Sequence, residues 1–459
     1  MRVSALGCTV PGPPMHTVYS VVIVLFFLAV SPYFVYQAVR YRKYVGNLRQ
    51  RLGYLPASFN LDGDESIWIH AVSVGEVLTA RALLPQLRER YPRLRIFLST
   101  TTMTGQQVAR ENLQYADEVF YFPLDLPPIV RRTMRLVKPR IFIMMETEIW
   151  PNLLRACRRA GVSTVLINGR ISSRSFPRYR LARRFFQRVL DDVDRFCMQS
   201  DESARRIIAI GADRQRVSVT GSLKFDSLDT PVSAAGDRGR HRVLRYFRVN
   251  AARPVVIAAS TLKGEEEAVL EAFGRVRANR GDALLIIAPR KPERFDEVER
   301  LGRRAGWRLA RRTELPVDAE PKVDVVVLDT IGELAHLYEI ATVVFVGGSL
   351  VDAGGHNILE PAIYGKPIVF GPHMHNFAEI AGMFLEKGGA IQVRSGAELE
   401  AVLVELLSDP VRRASLGAAA RALVEANRGA RGRSLAVIAQ LLPTDQPRTV
   451  LPFARAEKR

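Results

Sequence analysis

Short apolar runs alternate with amphipathic stretches along most of this chain, and that alternation restricts the fold more than any other feature of the sequence. Ile67 to Val72 (IWIHAV) reads as a strand, Val77 to Arg90 as a helix, and Arg95 to Ser99 (RIFLS) as the next strand. A continuous apolar run of this length, bounded by polar residues, suits a strand covered on both faces, whereas a 3.6-residue spacing marks a helix with one buried side. Ile141–Met145, Thr164–Asn168 and Arg195–Gln199 repeat the strand pattern. Alternation of this kind implies a parallel sheet with right-handed crossovers.

The series breaks at PVSAAGD, residues 231–237, and resumes with strands at 254–260, Leu284–Ala288, Val323–Leu328, Val343–Val346 and Ile368–Phe370. The fold expected is therefore α/β, with two doubly wound, Rossmann-like domains facing a cleft. Ligands in open sheets of this type bind outside the carboxyl ends of the strands. With 459 residues, 47% hydrophobic and 25% charged, the chain is long enough for two cores and an appendage. The expected boundaries are a membrane anchor over 1–45, domains over 46–230 and 251–443, a linker over 231–250 and a flexible tail over 444–459.

The anchor is inferred from Thr17 to Val39, which carries no charged residue over a length able to cross roughly 30 Å of hydrocarbon. Arg40, Arg42, Lys43, Arg49 and Arg51 follow it, while only Arg2 and His16 precede it. This asymmetry predicts a single-pass protein whose domains lie in the cytoplasm. A cleaved signal peptide is the competing reading, and Ala29-Val30-Ser31 is a poor cleavage site for one. The three cysteines are scattered without a Cys-x-x-Cys pair, which disfavours a disulfide framework or a thiolate metal site.

Lys+Arg 66 against Asp+Glu 47 gives a net charge of +19 and a surface that attracts polyanions. No nucleic-acid-binding module accompanies the charge, so anionic lipid and phosphorylated ligands are the expected partners. Seven arginines and no acid fall between Arg170 and Arg188, interleaved with Phe176, Tyr179, Phe185 and Phe186. Such a stretch is either a membrane-surface patch or a solvated basic helix whose aromatics face the core.

Several strands end in residues able to do chemistry. Glu76 follows Ser73-Val74-Gly75 in the first turn of a helix, where N–H groups should keep its carboxylate ionised, as a base or as a helix-stabilising acid. METEIWPN, from Met145, places Glu146 and Glu148 on one face if extended, or opens a helix at Thr147 or Glu148. Lys224 in GSLKFD could neutralise phosphate charge or merely solvate a surface. In the second domain Pro289, Arg290 and Lys291 end a strand with two cations suited to phosphate. VGGSL from Val346 and GGHNILEP from Gly354 bring glycines and a capping Asn357 before a helix start, an anion site by geometry. Glu360, three residues after Asn357, is a capping partner or a carboxylate for ribose hydroxyls. The chain lacks the Walker, HExxH and GxSxG patterns.

Taken in order, HAVSVGE, METEIWPN, NGRIS, GSLKFD, APRKPERF, GELAHLY, FVGGSLVDAGGHN, LEPA and FGPHMHNF closely resemble the 3-deoxy-D-manno-octulosonic acid (Kdo) transferases, membrane-anchored glycosyltransferases of lipid A assembly. The similarity runs from about Arg40 to at least Phe384. It implies a GT-B fold with acceptor binding in the N-terminal domain and CMP-Kdo binding in the C-terminal domain. It further implies inverting, metal-independent transfer of Kdo, without a cofactor, to a lipid A precursor such as lipid IVA at the inner membrane. By the same resemblance Glu76 matches the proton acceptor, and Glu146 and Lys224 the transition-state stabilisers. Pro289-Arg290, Gly332-Glu333-Leu334 and Asn357-Ile358-Leu359-Glu360 match CMP-binding positions. Ile358 stands where the family often has proline, which bears only on the rigidity of that cap.

Overall fold

In the computed structural model the described residues are 17–25, 28–30, 45–111, 115–226, 242–250 and 252–443. The chain divides into two compact units: one runs to Ser227 and resumes at Gly429, and the other spans Leu228–Arg428.

The first unit holds a parallel sheet of seven strands: β1 (Ser66–His70), β2 (Arg95–Thr100), β3 (Glu118–Tyr121), β4 (Pro139–Met145), β5 (Ser163–Gly169), β6 (Arg195–Met198) and β7 (Val217–Val219). Their spatial order is β3-β2-β1-β4-β5-β6-β7. The chain thus winds from β1 to one edge, returns, and winds from β4 to the other. Ile67, Ile69, Ile141 and Ile143 face one side of this sheet, while Trp68, Phe97, Phe142 and Phe196 face the other. Both sides are covered, so the central strands are apolar throughout rather than alternating with polar residues. Trp68 has no exposed surface and its indole N–H reaches the Ser99 hydroxyl at 2.8 Å, the partner a buried indole requires.

The second unit repeats the plan with β8 (Val255–Thr261), β9 (Leu284–Pro289), β10 (Leu309–Arg311), β11 (Val325–Val327), β12 (Val343–Val346), β13 (Ile368–Phe370) and β14 (Ile391–Gln392). All pairings are parallel, in the order β10-β11-β9-β8-β12-β13-β14. Two Rossmann-like α/β units are therefore present, as the sequence pattern predicts.

Two expectations change. The helix expected over Val77–Arg90 is two, Val74–Arg81 and Leu84–Arg90, with Pro85 in the first turn of the second; proline lacks an N–H and clashes with the preceding turn of a continuing helix. The second domain was expected to reach residue 443, yet the helix Ala430–Leu441 packs on the first sheet through Ala430, Ile438 and Leu442. Asp226 tethers it there, accepting from the N–H groups of Gly429 at 2.8 Å and Arg431 at 2.7 Å. No described helix is long and apolar enough to cross a membrane. Residues 17–25 and 28–30 are helical, while the rest of the expected anchor, the linker over 231–241 and the tail over 444–459 lie outside the described residues.

Candidate active site

In the first unit the order of strands reverses between β1 and β4, and the groups expected to do chemistry follow those two strands. β1 leads through Ala71 and Val72 to Ser73, which caps the helix carrying Glu76. The Glu76 N–H points to the Ser73 hydroxyl at 3.5 Å. In return the hydroxyl donates to Glu76 Oε1 at 2.9 Å, and the Val72 N–H donates to Oε2 at 2.9 Å. The capping role is thus real, and it also fixes the carboxylate's position.

Electrostatics correct the expected charge state. The side chain is only 8% exposed. Burial, with Glu146 and Glu148 nearby, outweighs the two hydrogen bonds and raises its pKa to about 7. Instead of being held firmly ionised by its helix end, Glu76 divides between acid and carboxylate near neutral pH, where a general base works best.

METEIWPN adopts neither of its two expected shapes. Glu146 turns the chain with φ +55°, and the helix begins only at Pro151. Glu148 Oε2 accepts from the Trp150 indole N–H at 3.1 Å and lies 3.7 Å from His70 Nε2. His70 is fully buried, stacked on Phe122 at 3.8 Å, with its Nδ1 placed 3.1 Å from the Ser99 carbonyl. Glu146, on β4's carboxyl end, is held by backbone bonds from its N–H to the Ile167 carbonyl and from the Arg170 N–H to its own carbonyl, at 3.0 and 3.3 Å. Lys224 sits in the middle of the short turn Leu223–Phe225, half-buried between two buried apolar neighbours.

In the second unit the order reverses between β8 and β12, and the donor positions implied by resemblance follow β9, β11 and β12. Arg290 leaves β9 with its N–H on the Thr261 carbonyl at 2.9 Å. Its charge acts on both His356 and Glu360. Burial, with Arg290 adding to it, lowers the pKa of His356 to about 4, and burial raises that of Glu360 despite Asn357 and Arg290. Asn357 accepts the Leu359 N–H at 3.1 Å and donates to Glu360 Oε1 at 3.1 Å, a side-chain pair rather than the expected capping box, with Ile358 at the N-cap. The helix it opens, Leu359–Ile363, is a single turn of five residues. Ile358 and Leu359 are fully buried and the Leu359 N–H is already bonded to Asn357, so neither of these two expected donor-binding residues presents surface to a ligand.

Gly332 has φ +88°, a conformation that suits glycine. The Glu333 carboxylate beside it is already engaged by Arg312 at 2.7–2.8 Å and by the Thr330 hydroxyl at 2.8 Å, with the Arg312 guanidinium stacked 3.5 Å from the Tyr246 ring.

The glycine loops differ from an open phosphate cradle. Glu265, fully buried, accepts from the N–H groups of Leu262 (2.9 Å), Gly348 (2.7 Å), Ser349 (2.9 Å) and Leu350 (2.9 Å). The backbone nest that would hold an anion is filled by the protein's own carboxylate. A Cβ at Gly347 would lie 2.7 Å from the Ser260 carbonyl, and one at Gly354 or Gly355 would collide with Asn376 or Met374. These glycines allow close packing of loop on loop. The next residue, Glu266, receives Arg294 through two bonds of 3.1 Å. In the sequence the signal for this carboxylate is TLKGEEE, acids in the first turn of a helix following a buried strand.

The basic segment resolves into the helices Phe176–Leu181 and Arg183–Leu190. Phe176, Tyr179, Phe185 and Phe186 pack against the core, while Arg174, Arg178, Arg180, Arg183, Arg184 and Arg188 are exposed. Leu181 is 93% exposed, and Tyr19 stacks 5.8 Å from Phe185 and donates to buried Asp125 at 3.0 Å.

Paired parallel α/β units with titratable groups at strand carboxyl ends define a two-unit protein of the Rossmann-like class. Solved structures share this fold. A UDP-GlcNAc 2-epimerase from Neisseria meningitidis superposes with a TM-score of 0.55 at 11% identity, over 83% of this chain and 100% of its own. Another from Listeria monocytogenes gives 0.53 at 14%, over 83% and 98%. At such identities the likeness is one of fold alone.

Sequence similarity is more particular. Residues 46–227 match the family model described as 3-deoxy-D-manno-octulosonic-acid transferase (kdotransferase). The chain is 36% identical over 403 residues to the 3-deoxy-D-manno-octulosonic acid transferase of Haemophilus influenzae, covering 87% of this chain and 92% of that one. It is 34% identical over 401 residues to the Bordetella pertussis enzyme of the same name, covering 83% and 90%. The chain belongs to the Kdo transferase family and is a glycosyltransferase.

Proposed function

We propose that this chain transfers Kdo from CMP-Kdo to a lipid A precursor with inversion and without a metal ion. The observation that carries this reading is the Glu76 carboxylate, fixed by two hydrogen bonds beside Glu146 and Glu148, with a pKa of about 7. Glu76 takes the proton from an acceptor hydroxyl as its oxygen forms a bond to the anomeric carbon of Kdo. The bond from that carbon to phosphate oxygen breaks, and CMP leaves. A phosphate leaving group is already a weak base, so no general acid is required; Lys224 and Arg290 stabilise its charge, while Glu146 stabilises the positive character that develops on the sugar. The Arg290, His356, Asn357 and Glu360 cluster supports donor binding in the second unit, with the exposed backbone about Gly332 for the base.

The exposed arginines around Leu181, above aromatics turned inward, suit an anionic lipid surface. The uncharged run from Thr17 to Val39, which begins against the first unit with Tyr19 bonded to Asp125 beside the arginine patch, would hold the enzyme at the cytoplasmic face of the inner membrane. Purified protein incubated with CMP-Kdo and a tetra-acylated lipid A precursor should give a lipid heavier by whole Kdo units in mass spectrometry. An unchanged lipid mass with CMP-Kdo, alongside a product with a UDP- or GDP-sugar, would overturn the donor assignment. Charge reversal at Arg180 and Arg183 should weaken binding to anionic liposomes at low salt, and unchanged partitioning would remove the surface role.

A further inference from the structure

Asn168, next to last in β5, is fully buried with φ +57°. The end of the neighbouring strand β4 carries a second non-glycine residue in the same left-handed region, Glu146. Strained backbone of this kind persists where its surroundings enforce it, and it concentrates at functional sites. The Asn168 carboxamide makes one recorded bond: its Oδ1 accepts the N–H of Leu223 at 3.0 Å. Its Nδ2 is buried and has no hydrogen-bond partner among the described residues. Glycine would follow the same left-handed turn without strain and without an unpaired donor. The side chain is thus retained for the bond that its oxygen makes.

That bond opens the turn Leu223–Phe225, whose central residue is Lys224. Ser222 accepts the Lys224 N–H at 3.4 Å, and Leu223 and Phe225 are buried to either side. Beyond the turn, Asp226 is bound to Gly429 and Arg431. Asn168 is the link from this turn to the carboxyl end of the central sheet. Its carbonyl is itself fixed by the Gln199 amide at 2.9 Å.

We propose that Asn168 is a positioning residue for the transfer reaction, holding the Leu223–Phe225 turn so that Lys224 meets the departing phosphate. This rests on the reading of Lys224 as the cation that stabilises that group. Asn168→Gly keeps the backbone conformation and removes only the tether. It should lower kcat by roughly 10- to 100-fold, the cost of a misplaced catalytic group, with the donor KM within about threefold of the parent.

The discriminating readout is a cycle with Lys224→Met. If Asn168 acts through the lysine, adding Asn168→Gly to the Lys224→Met protein should lower kcat by less than about twofold more. A merely structural role predicts that the two losses multiply. A parental kcat in Asn168→Gly, or multiplied losses, overturns the proposal and leaves the Lys224 reading standing. Parental turnover in Lys224→Met overturns both. Should the glycine variant fail to fold, Asn168→Ala is carried through the same cycle with the same expectations.

Discussion

Glu76 and Glu265 occupy equivalent stations in the two units, and they are put to opposite uses. Each follows the first strand of its sheet, at the place where strand order reverses, and each lies at the start of a helix. Glu76 accepts two hydrogen bonds from its own loop and has two further carboxylates as neighbours. Glu265 accepts four backbone N–H groups, three of them from the loop after β12, and Glu266 beside it is met by Arg294. A buried carboxylate that is fully bonded stabilises the loops it joins. One that is buried beside like charges holds its proton nearly to neutrality and can give it up and take it back. The same topology therefore supplies an acid that titrates near neutrality or a fastener, according to what faces it.

Substitutions should separate the two uses. The largest effect is expected from Glu76→Gln, with turnover falling by about 10²- to 10⁴-fold and CMP-Kdo affinity nearly unchanged. Near-parental turnover in the purified variant would refute the base assignment. Glu265→Ala should instead leave buried N–H groups unpaired and cost about 2–4 kcal/mol in chemical denaturation. A parental denaturation midpoint would mean that the loop after β12 does not depend on that carboxylate.

The pH dependence sharpens the contrast. Because only ionised Glu76 can accept a proton, kcat/KM should rise with pH through an apparent pKa near 7. For stability the sign is opposite: a carboxyl held above its ordinary 4.5 favours the folded state fully below that value, and the contribution is lost as pH rises through about 7. Glu76→Gln should remove that loss, so its stability relative to the parent should increase between pH 5 and pH 8. The smallest effect is expected from Glu148→Gln, which takes away one like charge and should move the rising limb of kcat/KM to lower pH. A limb that stays in place would exclude Glu148 as a cause of the raised value.

The same physics decides how much could be read from sequence. The ten interior strands of the two sheets are visible as apolar runs, because each is covered on both faces. The four that escaped notice, β3, β7, β10 and β14, are the four edge strands. β7, β10 and β14 are two or three residues long and only partly buried, so no apolar run announces them, whereas β3 carries the buried run Val119–Phe122 and was legible in principle. Glu76, Glu146, Lys224 and Arg290 were legible from their positions after strands and from family resemblance. The charge state of Glu76 was not, since it depends first on burial and then on Glu146 and Glu148, about seventy residues on in sequence. Glu265 escaped for a related reason: its partners Gly348, Ser349 and Leu350 are distant in the chain, and from the sequence alone their amides looked available for a phosphate.

The return of the helix Ala430–Leu441 to the first sheet has a consequence for biosynthesis. The half that carries Glu76 is threaded out first, yet one apolar flank of it stays bare until Ala430, Ile438 and Leu442 emerge. Between these events the ribosome must make the whole span Leu228–Arg428, on the order of 10 to 40 s at ordinary bacterial elongation rates. The first unit is therefore the last part of the molecule to close, and a nascent chain halted anywhere in that interval presents greasy surface to whatever chaperone or membrane lies nearest.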